Sequence, residues 1–489
     1  MIDGLGHYRP RFDLLRTPVL GRFLLWKHSR TAIQIPLFLL AVIMIVDGLV
    51  GSRLAAKNVA TVAAWVHYRG LVVVALLLAG NLFCAGCPFL VPRKLARWLG
   101  NPSLRWPQAL RNKWVAIAGL IAILWVYEVW DLWASPWLTA WVAIAYFAAA
   151  FVIEAIFTRD SFCMYVCPLG TFNFLYSTAS PLQITNHSLD VCRSCVGKDC
   201  INGHYAPISG PNGPNENEIL LQQGCQLELF VPTIQSNMDC TLCLDCAKAC
   251  PHDNVALIPR RPGDELFRQT WPKRLDLALL AILAAAAGMV NAFAMTPPVY
   301  ELEVGMADAL NTQNEGIVLG LIFLVGVILL PLGLVYGAAW LGRILAPAKD
   351  GRLNRTVMAY AYAFVPLGLA VWTAHYLFHF LIGAFTIVPA LQQFFDRTLG
   401  VALLGQPNWQ LAADLIPSPV VAQVIQGVIM VGGILWAGAV AWNSARSRQA
   451  DTRSALREAL PWLLLILALG VISMVIFAQP MEMRGSVLG

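Results

Sequence analysis

The stretch Cys240-Thr241-Leu242-Cys243-Leu244-Asp245-Cys246-Ala247-Lys248-Ala249-Cys250-Pro251 decides how the rest of the chain is read. Its spacing is C-x2-C-x2-C-x3-C-P. Three thiolates on a tight turn grip three corners of an iron–sulfur cubane, and the fourth reaches across to a neighbouring cluster. Soft thiolates suit iron because they donate well and delocalise the transferred charge. A zinc knuckle would set two C-x2-C pairs further apart and has no need of the closing Cys-Pro. The spacing therefore predicts a four-iron cluster here, and Cys250 demands a second one.

The partners for Cys250 lie upstream. Cys192, Cys195 and Cys200 follow a looser C-x2-C-x4-C spacing, and Cys225 comes after a further 24 residues without a proline behind it. The expected pairing puts Cys192, Cys195, Cys200 and Cys250 on one [4Fe-4S] cluster and Cys225, Cys240, Cys243 and Cys246 on the other. A Cys200–Cys225 disulfide would require an oxidising compartment. Between these motifs, Ile208–Glu218 is rich in Gly, Pro and Asn and reads as a surface loop.

The remaining four of the twelve cysteines occupy two matched places. Phe83-Cys84-Ala85-Gly86-Cys87-Pro88 and Phe162-Cys163-Met164-Tyr165-Val166-Cys167-Pro168 each close an apolar run. Such Cys-Pro pairs suit a four-thiolate site for a third iron–sulfur cluster, or two pairs of redox-active thiols. Buried structural cysteines would not explain two matched motifs.

Beyond the cysteines the chain is built for lipid. Of 489 residues, 58% are hydrophobic and only 13% charged, against roughly a quarter charged in soluble domains. The net charge of +6 is small for this length and gives no sign of a nucleic-acid partner. Runs of roughly 20 apolar residues, enough to cross the hydrocarbon layer, recur near 31–50, 62–83, 114–133, 137–157, 275–296, 316–341, 357–384, 419–442 and 459–479. Arg69 falls inside the second, so that 54–68 is an alternative short outer helix. Loops 84–113, 342–356 and 443–458, and the stretch 158–274, hold most of the Lys and Arg. The stretch 297–315 has none, and 385–418 has only Arg397. By the positive-inside rule the basic segments are cytoplasmic. Arg9, Arg11, Arg16, Arg22, Lys27 and Arg30 form a retained basic cytoplasmic arm without a cleavage site. The expected class is an all-α polytopic membrane protein of about nine transmembrane helices with an inserted cytoplasmic, bacterial-type two-cluster ferredoxin domain. Its parts are a basic arm (1–30), a four-helix membrane domain (31–157) with cysteine motifs at 84–88 and 163–168, the insert (158–274), and a five-helix C-terminal membrane domain (275–489).

These motifs, in this order over roughly residues 60–260, resemble the membrane-bound polyferredoxin family. That group serves the electron-transfer systems of periplasmic nitrate reductase, nitrous-oxide reductase and cbb3-oxidase assembly. In it, membrane-edge Cys-x3-Cys-Pro motifs precede a double-cubane ferredoxin. This chain departs from the pattern in three ways: its first motif is C-x2-C-P, no flavin-binding domain stands before the first helix, and five helices follow the ferredoxin. The resemblance implies an electron-transfer protein of the bacterial inner membrane.

Within 357–384, Trp372-Thr373-Ala374-His375-Tyr376-Leu377-Phe378-His379 sets two histidines four apart on one helix face, and His67 falls at a similar depth. Ionisable groups inside a bilayer are costly and usually functional. His67, His375 and His379 are therefore candidates to bind a b-type haem or a quinone, or else pack at the interface. Asp47, Glu128 and Asp131 near the outer edge could handle protons, although surface-facing placement is the more ordinary reading. Nothing resembles a nucleotide or flavin fingerprint, so no catalytic residue is expected and the chain reads as an electron-transfer subunit of a larger oxidoreductase complex. It would link a cytoplasmic redox partner protein to the quinone pool or an outer-face acceptor. The alternative is an assembly factor that reduces a metal or disulfide during maturation of another redox enzyme. A transporter with a regulatory cluster domain is the third reading, and no span shows a gating break to support it.

Overall fold

The computed structural model describes residues 12–210, 213–347 and 352–481. Arg9, Arg11 and Lys349 of the basic segments, and Pro211 and Asn212 of the expected loop, lie outside the described residues. Among the described residues, eight helices are long and apolar enough to cross a membrane: Ser29–Val50, Val59–Leu78, Pro136–Ile156, Leu275–Phe293, Glu315–Leu345, Leu353–Gly383, Pro419–Arg448 and Thr452–Ala478. The third expected span is a shorter apolar helix, Trp114–Val129. Its 16 residues rise only about 24 Å, short of the roughly 30 Å hydrocarbon layer, because Lys113 precedes it and Asp131 adopts a positive φ just beyond it. The chain is therefore a helical, multi-pass membrane protein, with eight full-length candidate spans among the described residues where about nine were expected.

The second span settles the question raised by Arg69. Val59–Leu78 is helical throughout, with a π-helical stretch at Val62–Tyr68, so 54–68 is not a separate helix. Arg69 is buried, and its guanidinium lies 4.8 Å from the Trp65 ring centre, 4.3 Å from that of Tyr127 and 5.1 Å from that of Tyr376. Three aromatic faces thus stand in for water around the cation.

Two compact units divide the chain. The first comprises 1–39, 75–111 and 149–265, and so takes in the whole cysteine-bearing stretch. Its core joins Leu15, Ile184, Val231, Leu242, Leu244, Val255 and Leu257. Two strands, β1 (Leu182–Asn186) and β4 (Val255–Pro259), pair antiparallel there. Ile208–Glu218 is not a plain loop: β2 (His204–Gly210) and β3 (Gly213–Gln222) form an antiparallel hairpin, with the Gly residues at its narrow end. The described part of the basic arm is not free either. Asp13 is buried and accepts hydrogen bonds from Leu15 N at 2.9 Å and Leu257 N at 3.0 Å. It also meets His187 Nε2 at 3.0 Å, which docks the segment onto β4.

The second unit comprises 40–74, 112–148 and 266–489. Leu275–Phe293 and Leu353–Gly383 are almost wholly buried within it, whereas Pro419–Arg448 and Thr452–Ala478 expose apolar rows such as Val424, Val428, Val431 and Leu435, and Leu460, Leu464, Leu467 and Val471. Apolar rows with no protein over them are lipid-contacting faces. Close helix approach rests on small residues: a Cβ at Gly433 would strike Ala370.

Candidate functional site

The first unit gathers its thiols into three groups of four. Cys192, Cys195, Cys200 and Cys250 line one open recess together with Phe230 and Val231. Cys225, Cys240, Cys243 and Cys246 are close enough to repel one another as thiolates. At the two Cys-Pro motifs, Cys87 senses Cys84 and Cys167, and Cys163 senses Cys87 and Cys167. All twelve cysteines are free of disulfides, Cys200 and Cys225 included. Among the described residues no group of three or more His, Cys, Asp or Glu is drawn together as the ligands of one metal ion would be. A cubane seats each thiolate on a different iron corner, so it takes a wider ring of sulfurs than a mononuclear centre does. The all-thiol donor sets have the chemistry such clusters require.

Local backbone explains how the loops turn sulfur inward. Leu242 and Leu244, between the cysteines, adopt φ of 51° and 60°, and Lys198, between Cys195 and Cys200, adopts 46°. Each left-handed residue without a glycine costs roughly 1–2 kcal/mol. The gain is a concave run of N–H groups, the backbone cradle used at anion and iron–sulfur sites. The N–H of Leu242 reaches Cys240, that of Asp245 reaches Cys243, that of Val231 reaches Cys200, and those of Leu227 and Leu229 reach Cys225. Side chains add to this: Asn254 Nδ2 donates to Cys192 Sγ at 3.0 Å and Asn173 Nδ2 to Cys84 Sγ at 3.5 Å, while Gly170 N donates to Cys167 Sγ at 3.2 Å. Hydrogen bonds to sulfur of this kind tune the potential of a bound cluster. Burial pushes the Cys200 thiol up to about 11 and the Cys243 thiol up to about 12, so thiolates form in these sites only when something positive compensates them.

Two residues to which the sequence reading gave no role at the thiols, Arg30 of the basic arm and Asn81, tie the groups together. Arg30 Nη1 donates to Asp245 Oδ2 at 2.9 Å and its Nε to Ala85 O at 3.1 Å, and the guanidinium acts on Cys84, Cys87 and Cys243. Asn81 Nδ2 donates to Cys240 O at 3.2 Å, and its side chain also bonds the Cys84 sulfur. The Cys84 and Cys240 groups are thus joined by one side chain. A third contact comes from Asp160, which is held by Arg93 and, at 3.1 Å, by Arg97, and which acts on both Cys163 and Cys225. Neither Arg30 nor Asn81 belongs to a cysteine motif, and only folding brings them there.

The histidines in the second unit do not form one set. His67 sits in the π-helical stretch with Nδ1 3.0 Å from Val62 O and Nε2 2.8 Å from Ala384 O, so both coordinating atoms face backbone carbonyls. His375 and His379 stack edge to face with ring centres 5.1 Å apart, and His375 Nε2 lies 3.0 Å from Met295 Sδ. Two ligands on one face of one helix cannot flank a haem iron from opposite sides.

The carboxylates near the helix ends divide. Asp131 is exposed, as the ordinary reading expects, but Asp47 and Glu128 are buried. Asp47 accepts from Val59 N at 2.7 Å and Thr398 Oγ1 at 3.1 Å, which ties the 50s loop and the 390s segment together. Glu128 accepts from Asn291 at 3.3 Å. Polar groups buried among helices need such partners, and their positions in sequence do not reveal them.

The class that fold and site define is a multi-pass helical membrane protein carrying three groups of four thiols, two of them mostly buried and the third, Cys192, Cys195, Cys200 and Cys250, half-buried. No protein-family model, curated protein or solved structure matches the chain.

Proposed function

We propose that the protein is a membrane-bound iron–sulfur electron-transfer protein of a bacterial inner membrane, with its cysteine-bearing segment on the cytoplasmic side. The reading rests on one observation above all: twelve disulfide-free thiols fall into three groups of four within one compact unit. Iron–sulfur cubanes held by such groups accept and release single electrons. The chain supplies the thiols, the N–H donors that aim at them, Arg30 as a fixed positive charge, and Asn81 as a bonded link between two groups. Burial of Cys84, Cys163 and Cys167 favours a third cluster over redox-active thiols, because reactive cysteines sit in partly exposed, electropositive places.

The acceptor is a quinone or an outer-face redox partner, and the donor a cytoplasmic redox partner protein or the remainder of an oxidoreductase complex. The basic loops support this orientation through the positive-inside rule. Iron and acid-labile sulfide analysis of anaerobically purified protein, with electron paramagnetic resonance after dithionite reduction, tests the proposal. About twelve iron atoms per chain and reduced-cluster signals are expected. Zinc in place of iron, or iron below about four atoms after reconstitution, refutes it.

A further inference from the structure

We propose that His375, His379 and Met295 form a site for a single cuprous ion inside the helical second unit. The inference goes beyond electron transfer through the thiol groups and does not depend on it. All three side chains are withdrawn from solvent: His375 is 0% exposed, Met295 1% and His379 5%. His375 Nε2 and Met295 Sδ stand 3.0 Å apart. Ligands on opposite sides of a metal, at ordinary nitrogen and sulfur bond lengths, would be roughly 4.3 Å apart. The same bond lengths close on one shared ion at 3.0 Å when the N–metal–S angle is roughly 90°. The contact therefore excludes a haem iron held between the two and admits a small ion held beside them.

His379 adds the second imidazole. It lies four residues further along the same helix, and its ring packs edge to face on that of His375. This is the i, i+4 placement by which helices present two histidines to one metal. Two imidazoles and a thioether make a soft, neutral donor set, which selects Cu(I) over harder divalent ions. A monovalent ion on neutral ligands also leaves the smallest charge to be carried in a low-dielectric interior.

The helix register that creates the contact is pinned on both sides. Trp372 Nε1 donates to Ala284 O at 2.9 Å, locking Leu353–Gly383 to the helix that leads into Met295. Gln426 Nε2 donates to Ala374 O at 3.2 Å, bracing the turn that carries His375. Such supports fix metal ligands in place.

The test uses full-length protein in detergent with its iron and sulfide quantified, titrated anaerobically with Cu(I) against a chromophoric chelator. Wild type is compared with Met295→Leu, which conserves volume, and with His375→Ala. Wild type should retain one Cu(I) more than His375→Ala, and Met295→Leu should bind it at least about tenfold more weakly, with iron content unchanged. Copper X-ray absorption should show nitrogen and sulfur neighbours in wild type and lose the sulfur in Met295→Leu. Equal Cu(I) stoichiometry and affinity in wild type and Met295→Leu overturns the proposal and leaves an N–H···S hydrogen bond only. The iron and sulfide values from the same samples report on the electron-transfer reading separately.

Discussion

Replacing Arg30 with Gln should make the iron–sulfur centres proposed at the neighbouring thiol groups harder to reduce. Its guanidinium acts on Cys243 of one thiol group and on Cys84 and Cys87 of another. The ion pair with Asp245 leaves the two side chains only 12% and 10% exposed, so solvent screens it weakly. Opposite charges that influence each other directly lie within roughly 6 Å. At that distance and an effective dielectric of about 20, the Coulomb energy is about 2.8 kcal/mol. Reduction adds one negative charge, so losing the cation lowers the midpoint potential by roughly 120 mV for a one-electron couple. Asp245→Asn removes a negative charge from the same place and should raise the potential of the Cys243 group. In Arg30→Gln/Asp245→Asn the two changes should largely cancel there. Arg30→Gln alone also leaves the buried Asp245 carboxylate with Lys248 Nζ, 3.8 Å away, as its remaining charged partner, so it should destabilise the fold, and the double variant should recover much of the loss. Redox titration followed by electron paramagnetic resonance reads the potentials, and thermal denaturation reads the stability. A potential in Arg30→Gln that rises, or that moves by less than about 20 mV, refutes this electrostatic assignment.

Cys250→Ser should remove the cluster shared with Cys192, Cys195 and Cys200 and leave the Cys240 group loaded, with a loss of about four iron atoms per chain; spectra that lose the Cys240-group signal instead would overturn the grouping. Asn81→Leu, in the turn just before Leu82–Ala85, cuts the bonded link between Cys84 and Cys240, so rapid-reduction traces should show slower transfer between two centres at unchanged iron content. Arg69→Ala removes a cation from three aromatic faces and opens a cavity, and its unfolding in detergent should fall by roughly 2–4 kcal/mol; an unchanged transition would refute the caged-cation reading. Asp13→Ala deprives Leu257 N of its acceptor and should destabilise the first unit by roughly 1–3 kcal/mol, seen as faster amide exchange along β4.

The sequence by itself determined the two things that local spacing encodes. Apolar runs of span length mark the membrane helices, because the bilayer requires each crossing to bury a full set of backbone bonds. The C-x2-C-x2-C-x3-C-P pattern marks a turn that gathers thiols, because residues of one turn are neighbours in the chain. The tertiary structure decided whatever depends on residues distant in sequence. It showed that Trp114–Val129 is too short to count as a ninth full span, that Ile208–Glu218 belongs to a hairpin, and that Asp47 and Glu128 are buried. Arg69, disqualifying on hydropathy, is accommodated by aromatic rings contributed from 58 and 307 positions further along the chain, at Tyr127 and Tyr376. Arg30 and Asn81 carry no motif, and Met295 stands 80 residues from His375. The reason is the same in each case: a buried polar group is defined by what packs around it, and packing joins residues that hydropathy and spacing treat separately.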